Sequence, residues 1–208
     1  MKRICFSLIF IIILTLTSFS QVIKLPEPDR EGGMPLMQAL NERHTSREFS
    51  DRELPVELMG NLFWAACGQT FETHRTVPSA HNFQEVKAYA VMKDGVYLYD
   101  EKDHSLRKLL DGDLREFTGT QAFVKDAPLV IVLVADLSVM TRADEETRIK
   151  YAWADAAFIS QNIYLFSASE GLNTGVRALI NREQLAEKMK LDTSQEIILA
   201  QCVGYGKE

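Results

Sequence analysis

The stretch Glu85–Asp100, EVKAYAVMKDGVYLYD, decides how this chain folds. Val86, Ala88 and Ala90 alternate with polar or aromatic neighbours, which is the period of a strand with two different faces. Asp94-Gly95 is a dipeptide of the kind that closes tight hairpins, and VYLYD then returns as the second strand. Working outward, APLVIVLVAD (Ala127–Asp136) is a continuous apolar run, the mark of a central strand buried on both faces. QEIILAQCVGYG (Gln195–Gly206) supplies a last strand. Between them, YAWADAAFISQNIYLFSASEG from Tyr151 predicts a long helix, apolar over much of its circumference and closed by Gly171. A helix with so little polar surface is buried deep or lies in a subunit interface.

Upstream, Leu36, Met37 and Leu40 follow helical spacing. PVELMGNLFWAAC (Pro55–Cys67) then sets Leu58, Leu62, Phe63 and Ala66 on one face, with Pro55 suited to a first turn. Residues 21–33, QVIKLPEPDREGG, carry two prolines and a Gly-Gly pair and read as an extended, solvated lead-in. The order of helices, hairpin, strand, buried helix and strand predicts an α+β layered sandwich. Its sheet is mostly antiparallel and flanked by helices, in one domain over 34–208.

The chain has 208 residues, 46% hydrophobic and 25% charged, enough for one sizeable core. Lys2-Arg3, the apolar run Ile4–Leu16 and the small residues around Ser18 and Ser20 have the layout of a secretory signal over 1–20. That predicts export, to a periplasm or the exterior. An uncleaved N-terminal membrane anchor is the alternative, although the run is shorter than the roughly 20 residues a spanning helix needs. The formal charge is -6; losing residues 1–20 removes two positive charges and no negative ones, leaving -8. An acidic chain argues against nucleic acid as a partner. Cys67 and Cys202 sit in apolar surroundings that suit buried free thiols, though two cysteines can also pair in an oxidising compartment.

Two polar stretches could carry chemistry. NERHTSREFS (Asn41–Ser50) gathers Arg43, His44, Thr45, Ser46 and Arg47 where an apolar pattern ends. Thr45-Ser46 favour breaking a helix, and such an end can aim guanidiniums, hydroxyls and backbone N–H groups at one oxyanion. A solvated helix end, with the arginines paired to Glu42 and Glu48, explains the same residues. RTVPSAHNFQ (Arg75–Gln84) is a polar loop between an apolar helix and the first hairpin strand. Its short Ser79 and Ala80 let a flat ligand approach the backbone, and Asn82 offers a donor and an acceptor. It can equally be a surface loop whose Ser and Asn cap the next element. The four histidines show no metal-ligand spacing, so no metal is expected. No Gly-x-Ser-x-Gly elbow or Walker loop is present.

Together these stretches resemble a known family. RHTSREF resembles the Arg-His/Arg-Ser-x-Arg/Lys-x-Phe signature of the nitroreductase flavoproteins, and PSAHNFQ resembles that family's Pro-Ser-x-x-Asn-x-Gln loop. DAAFISQNIYLFSASEGLNTGVRALI resembles its long central helix and the Gly-Leu-x-Thr segment that follows. The resemblance runs from about Met34 to Gly206 and implies an FMN-binding homodimer with its flavins at the subunit interface. It further implies that Arg43 and Thr45 engage the FMN phosphate and ribityl chain, with His44 and Ser46 alongside. Arg47 then falls beside N1 and O2 of the ring, where charge collects on reduction. Pro78, Ser79, Ala80 and Asn82 come from the second subunit, and the long helix becomes dimer core. Many members have Glu-Gly near the flavin N5 where this chain has Ala178-Leu179, with Arg177 just before them. Lys207 is the one basic candidate after the last strand. DGDLREFTGTQAF (Asp111–Phe123) is a candidate for covering the exposed flavin face.

The implied reaction is ping-pong hydride transfer through flavin N5, with no side chain needed as proton donor. A reductant such as NADH, NADPH or a redox protein loads the flavin, and a small acceptor such as a nitroaromatic or quinone empties it. The signal sequence and the altered 178–179 segment support a different expectation, an exported flavin-binding or interaction protein without turnover.

Overall fold

The computed structural model describes residues 21–207. The signal-sequence reading of 1–20 lies outside the described residues. Seven strands form one sheet: β1 (Val22–Lys24), β2 (Val86–Met92), β3 (Gly95–Asp100), β4 (Ser105–Asp111), β5 (Leu129–Asp136), β6 (Asn173–Arg177) and β7 (Gln195–Gly204). Their order is β1-β4-β3-β2-β5-β7-β6, and every neighbouring pair is antiparallel. Four α-helices accompany them: α1 (Leu36–Glu42), α2 (Val56–Cys67), α3 (Glu145–Ser169) and α4 (Arg182–Met189). The α+β sandwich read from the sequence is the fold observed.

The pleat divides the apolar residues between two cores. Val86, Ala88 and Ala90 of β2 face α2 and α3, joining Leu62, Phe63, Ala156, Ile159 and Ile163. Tyr89 and Val91 face the other way, joining Phe49, Val124, Leu185 and Met189. β5 contributes alternately to both cores and is buried along nearly its whole length, as its unbroken apolar run requires. Cys67 and Cys202 are free and buried. Burial pushes both thiols up to about 11, so neither is a thiolate at neutral pH.

Four local readings change. The hairpin turns at Lys93-Asp94, one residue earlier than expected, because Gly95 already pairs with Met92. Gly95 is there for close approach: a Cβ would lie 2.4 Å from the Leu110 carbonyl oxygen on β4. The long helix starts at Glu145, six residues before Tyr151, where the Asp144 side chain caps the Thr147 N–H at 2.8 Å. The lead-in is partly sheet, since Val22–Lys24 pair with Ser105–Arg107. Asp111–Phe123 packs Leu114, Phe117 and Phe123 on the second core, on the sheet face away from α3. Among the described residues no helix is long and apolar enough to cross a membrane.

Along α3 the buried face carries Ala152, Ala156, Ile159, Ile163 and Ser167. The opposite face leaves Trp153, Ala154, Ala157 and Phe158 exposed. Leu36, Met37 and Leu40 of α1, which keep the predicted helical spacing, are likewise 63%, 76% and 44% exposed. Both helices therefore show solvent an apolar surface of the kind that marks an interface.

Candidate functional site

The first polar stretch leaves α1 at Arg43 and runs along the outer edge of β6. The Ser46 N–H donates to the Thr174 carbonyl at 2.9 Å, and Asn173 Nδ2 donates to the Glu48 carbonyl at 2.7 Å. Phe49 then plugs the second core at 1% exposure. Residues 43–48 thus form an irregular segment laid on the β6 edge, which leaves the Arg43, His44 and Arg47 side chains for other work. A buried polar chain stiffens the edge beneath them. Ser160 Oγ of α3 donates to Gln201 Oε1, Gln201 Nε2 donates to Thr174 Oγ1, and Thr174 Oγ1 donates to the Cys202 carbonyl.

Tyr164 of α3 fixes the start of the stretch. Its hydroxyl accepts the Val176 N–H at 3.1 Å, which leaves its own proton for Thr45 Oγ1 at 2.8 Å. The Arg43 guanidinium lies over the same ring, 5.3 Å from its centroid. The pairing to Glu42 and Glu48 that would make this a bland helix end does not occur. Among the described residues neither Arg43 nor Arg47 forms an ion pair, and Glu42 accepts from Gln38 instead. His44, Thr45 and Arg47 are exposed; Arg43 and Ser46 are half-buried. Two unpaired guanidiniums beside hydroxyls on a stiffened edge are a donor set that suits a phosphate or another oxyanion.

The spacing between β6 and residues 45–46 tolerates no side chain at Gly175, whose added Cβ would sit 2.9 Å from the Ser46 carbonyl oxygen and 3.4 Å from Thr45 Cγ2. Gly175→Ala is expected to push residues 45–46 off β6 and cost about 1–3 kcal/mol, read as a lower denaturant midpoint.

The second polar stretch is anchored elsewhere on α3. The Ala80 N–H donates to Asp155 Oδ2 at 2.9 Å, and Asn162 Nδ2 donates to the Thr76 carbonyl at 3.4 Å. Ser79 Oγ accepts the Gln84 N–H at 3.0 Å, closing the loop on itself. His81, Asn82 and Gln84 all adopt positive φ, at 50°, 54° and 52°. Three left-handed non-glycine residues in four positions hold the loop in a shape that extended chain does not reach. Pro78, His81 and Asn82 are exposed, while Ser79 and Ala80 are half-buried.

Asp155 and Tyr164 are nine residues apart, about 13.5 Å along the axis and half a turn around it. The two stretches therefore flank the exposed apolar stripe of α3 from opposite sides, and one chain does not bring them onto one ligand. Two clefts, of about 540 and about 1410 Å³, are lined mostly by other residues, including Trp64 and Phe166 in the first and Arg52 and Tyr205 in the second.

The remaining sequence-predicted residues are dispersed. Ala178 and Leu179 follow β6 and are exposed, Leu179 at 62%. Arg177 turns the other way. The residue is 5% exposed, and its guanidinium lies 5.4 Å from the Phe123 centroid and leaves Nε and Nη1 without a hydrogen-bond partner among the described residues. Burial lowers its affinity for the proton. Lys207 lines the larger cleft, with Asp126 Oδ2 3.7 Å from its amine. Sequence reasoning missed Tyr164, Gly175, Asp155 and Glu85. Asp155, a carboxylate inside an apolar helix, was the one visible signal. Among the described residues no group of three His, Cys, Asp or Glu could hold a metal.

The sequence profile of the nitroreductase family matches residues 40–205. A protein of Methanocaldococcus jannaschii, MJ1384, provisionally named a nitroreductase, is 27% identical over 180 residues, covering 81% of this chain and 89% of its own. A crystal structure from Ralstonia eutropha JMP134, also provisionally named a nitroreductase, is 40% identical with a TM-score of 0.85, over 90% of each chain. The NADPH:FMN oxidoreductase of Vibrio harveyi, solved with NAD+, shares the fold at 19% identity and a TM-score of 0.63, over 83% of this chain and 69% of that one.

Proposed function

The chain belongs to the nitroreductase family, and from that premise we propose that it is an FMN-dependent oxidoreductase acting as a homodimer. The observation that carries the reading is the pair of unpaired guanidiniums, Arg43 and Arg47, on the β6 edge of an acidic chain. FMN, when bound, supplies reversible acceptance of a hydride. Arg43 and Thr45 hold the phosphate end, with His44 and Ser46 alongside. Arg47 sets a fixed positive charge on the ring side, where it favours the reduced, more negative form.

The exposed stripe of α3 and α1 is the surface on which a second copy packs. Packing there carries the Pro78–Asn82 loop of the partner subunit toward this chain's Arg43–Arg47 edge, which one chain alone does not do. Ala178 and Leu179 complete the wall beyond β6. The Vibrio harveyi relative is named for NADPH, and we extend a nicotinamide donor, NADH or NADPH, to this chain, with a small acceptor such as a nitroaromatic or quinone. Export through residues 1–20 remains part of the proposal and makes a redox-protein donor the alternative source of electrons.

The test is a visible spectrum of purified protein with and without added FMN. Flavin absorbance that survives gel filtration is expected, together with bleaching by NADH or NADPH without oxygen. Protein that stays colourless after incubation with FMN overturns the reading.

A further inference from the structure

Beneath the Pro78–Gln84 loop two acidic side chains meet away from water. Glu85, just before β2, is 1% exposed, and Asp155 of α3 is 4% exposed. The Glu85 carbonyl accepts the Asp136 N–H at 3.0 Å, which ties its backbone to the end of β5. Asp155 Oδ2 accepts the Ala80 N–H of the loop. Neither carboxylate oxygen of Glu85 has a hydrogen-bond partner among the described residues, and the Asp155 carboxylate is the acidic side chain that faces it. Two ionised carboxylates offer only acceptors to each other, and burying them together is costly. A single proton resolves this: a Glu85 O–H donates to Asp155 while Asp155 keeps the Ala80 N–H.

We propose that Glu85 and Asp155 form a proton-operated latch, in which one shared proton holds the Pro78–Gln84 loop against α3. Losing it sets two negative charges against each other and frees the loop. The link to function rests on the proposed placement of this loop at the flavin of the partner subunit.

The surrounding charges leave the proton in place. Arg75 is the cation on this side; Glu101 holds its Nη2 at 2.5 Å and the Val86 carbonyl its Nη1 at 3.1 Å, while its buried Nε has no partner among the described residues and its charge works against the proton without outweighing burial. Lys87 pairs with the same Glu101. The Asp136 carboxylate accepts from Ser138, and His81 of the loop lies exposed against the Tyr151 ring. Burial first, opposed by the residue's own backbone and by the Arg75 charge and reinforced by Asp155, pushes the Glu85 carboxyl up to about 7. Because the shift is upward, the latch is closed below this value and opens as pH rises through it.

Hydrogen exchange of the Ala80 amide in the full chain, corrected for base catalysis, reads the latch without flavin. Protection is expected to fall about tenfold between pH 7 and 8. Glu85→Gln, whose amide can donate to Asp155 at any pH, removes that step, and Asp155→Asn does the same if the first variant folds poorly. FMN affinity should weaken over the same interval in the native chain and not in Glu85→Gln. A step in exchange without one in FMN affinity upholds the latch and overturns the placement of the loop at the flavin. Protection that does not change with pH overturns the latch, as does a step that follows added Ca²⁺ or EDTA.

Discussion

Glu101→Ala is expected to lower stability by about 3–5 kcal/mol, because it strands a buried cation. The Arg75 side chain is 4% exposed and that of Glu101 is 13% exposed, with 2.5 Å between Arg75 Nη2 and Glu101 Oε1. Lys87 reaches the same oxygen at 2.7 Å. Without the carboxylate, Arg75 keeps one backbone acceptor and no ion pair among the described residues, in a wall shared with buried Cys67. For a chain of this size the loss amounts to a fall in Tm of roughly 10 °C, read by calorimetry. Glu101→Gln keeps an acceptor and is expected to lose less.

The same carboxyl sets an acid limit. Burial works to raise it, but Arg75 and Lys87 outweigh burial and hold it at about 2, against an ordinary 4.5. The shift is downward, so the stabilisation is complete above about pH 4.5 and disappears as pH falls toward 2. The stability gap between the native chain and Glu101→Gln should close over that interval. A gap of constant size from pH 6 to 2 would show that the charge contributes nothing.

Arg43→Ala is expected to weaken FMN retention by about 10- to 100-fold, since charge-assisted hydrogen bonds contribute about 1.5–3 kcal/mol. Arg43→Lys should recover part of this, because an ammonium supplies charge without the fork. Arg47→Ala separates from it in kind. Loss of a fixed cation near the ring penalises the reduced form most, so the midpoint potential should fall by about 30–60 mV, equivalent to about 1.4–2.8 kcal/mol for two electrons. Equal effects of both variants on affinity, with no change in potential, would erase the distinction between phosphate end and ring end.

The sequence disclosed those parts of the fold whose pattern is strong over many residues. The β5 run and the hairpin set the antiparallel sheet, and the apolar length of α3 announced both a core face and a surface in need of cover. Short or polar elements stayed hidden. β1 is three residues among prolines, β6 is NTGVR with a single large apolar side chain, and α4, REQLAEKM, carries only a narrow apolar stripe. Gly95 was read as a turn residue because local sequence does not reveal how near Leu110 would come.

At the candidate site, residue identity was legible and direction was not. Arg43, Arg47 and the Pro78–Asn82 loop stand out as chemistry along the chain, yet nothing local tells that Arg177 faces the core. The Glu85–Asp155 contact joins residues 70 apart and exists only once α3 is laid on the sheet. Tyr164 is equally silent in sequence: an aromatic in an apolar helix, whose one hydroxyl orders a segment more than a hundred residues away.

The pairing of β1 with β4 bears on how the molecule can be attached to something else. β1 lies at one margin of the sheet and β6 at the other, six strand spacings or about 29 Å across. A linker joined at Gln21 leaves from the margin remote from Arg43 and Arg47. Immobilised on a resin or electrode through that residue, the protein keeps its β6 margin turned toward solution.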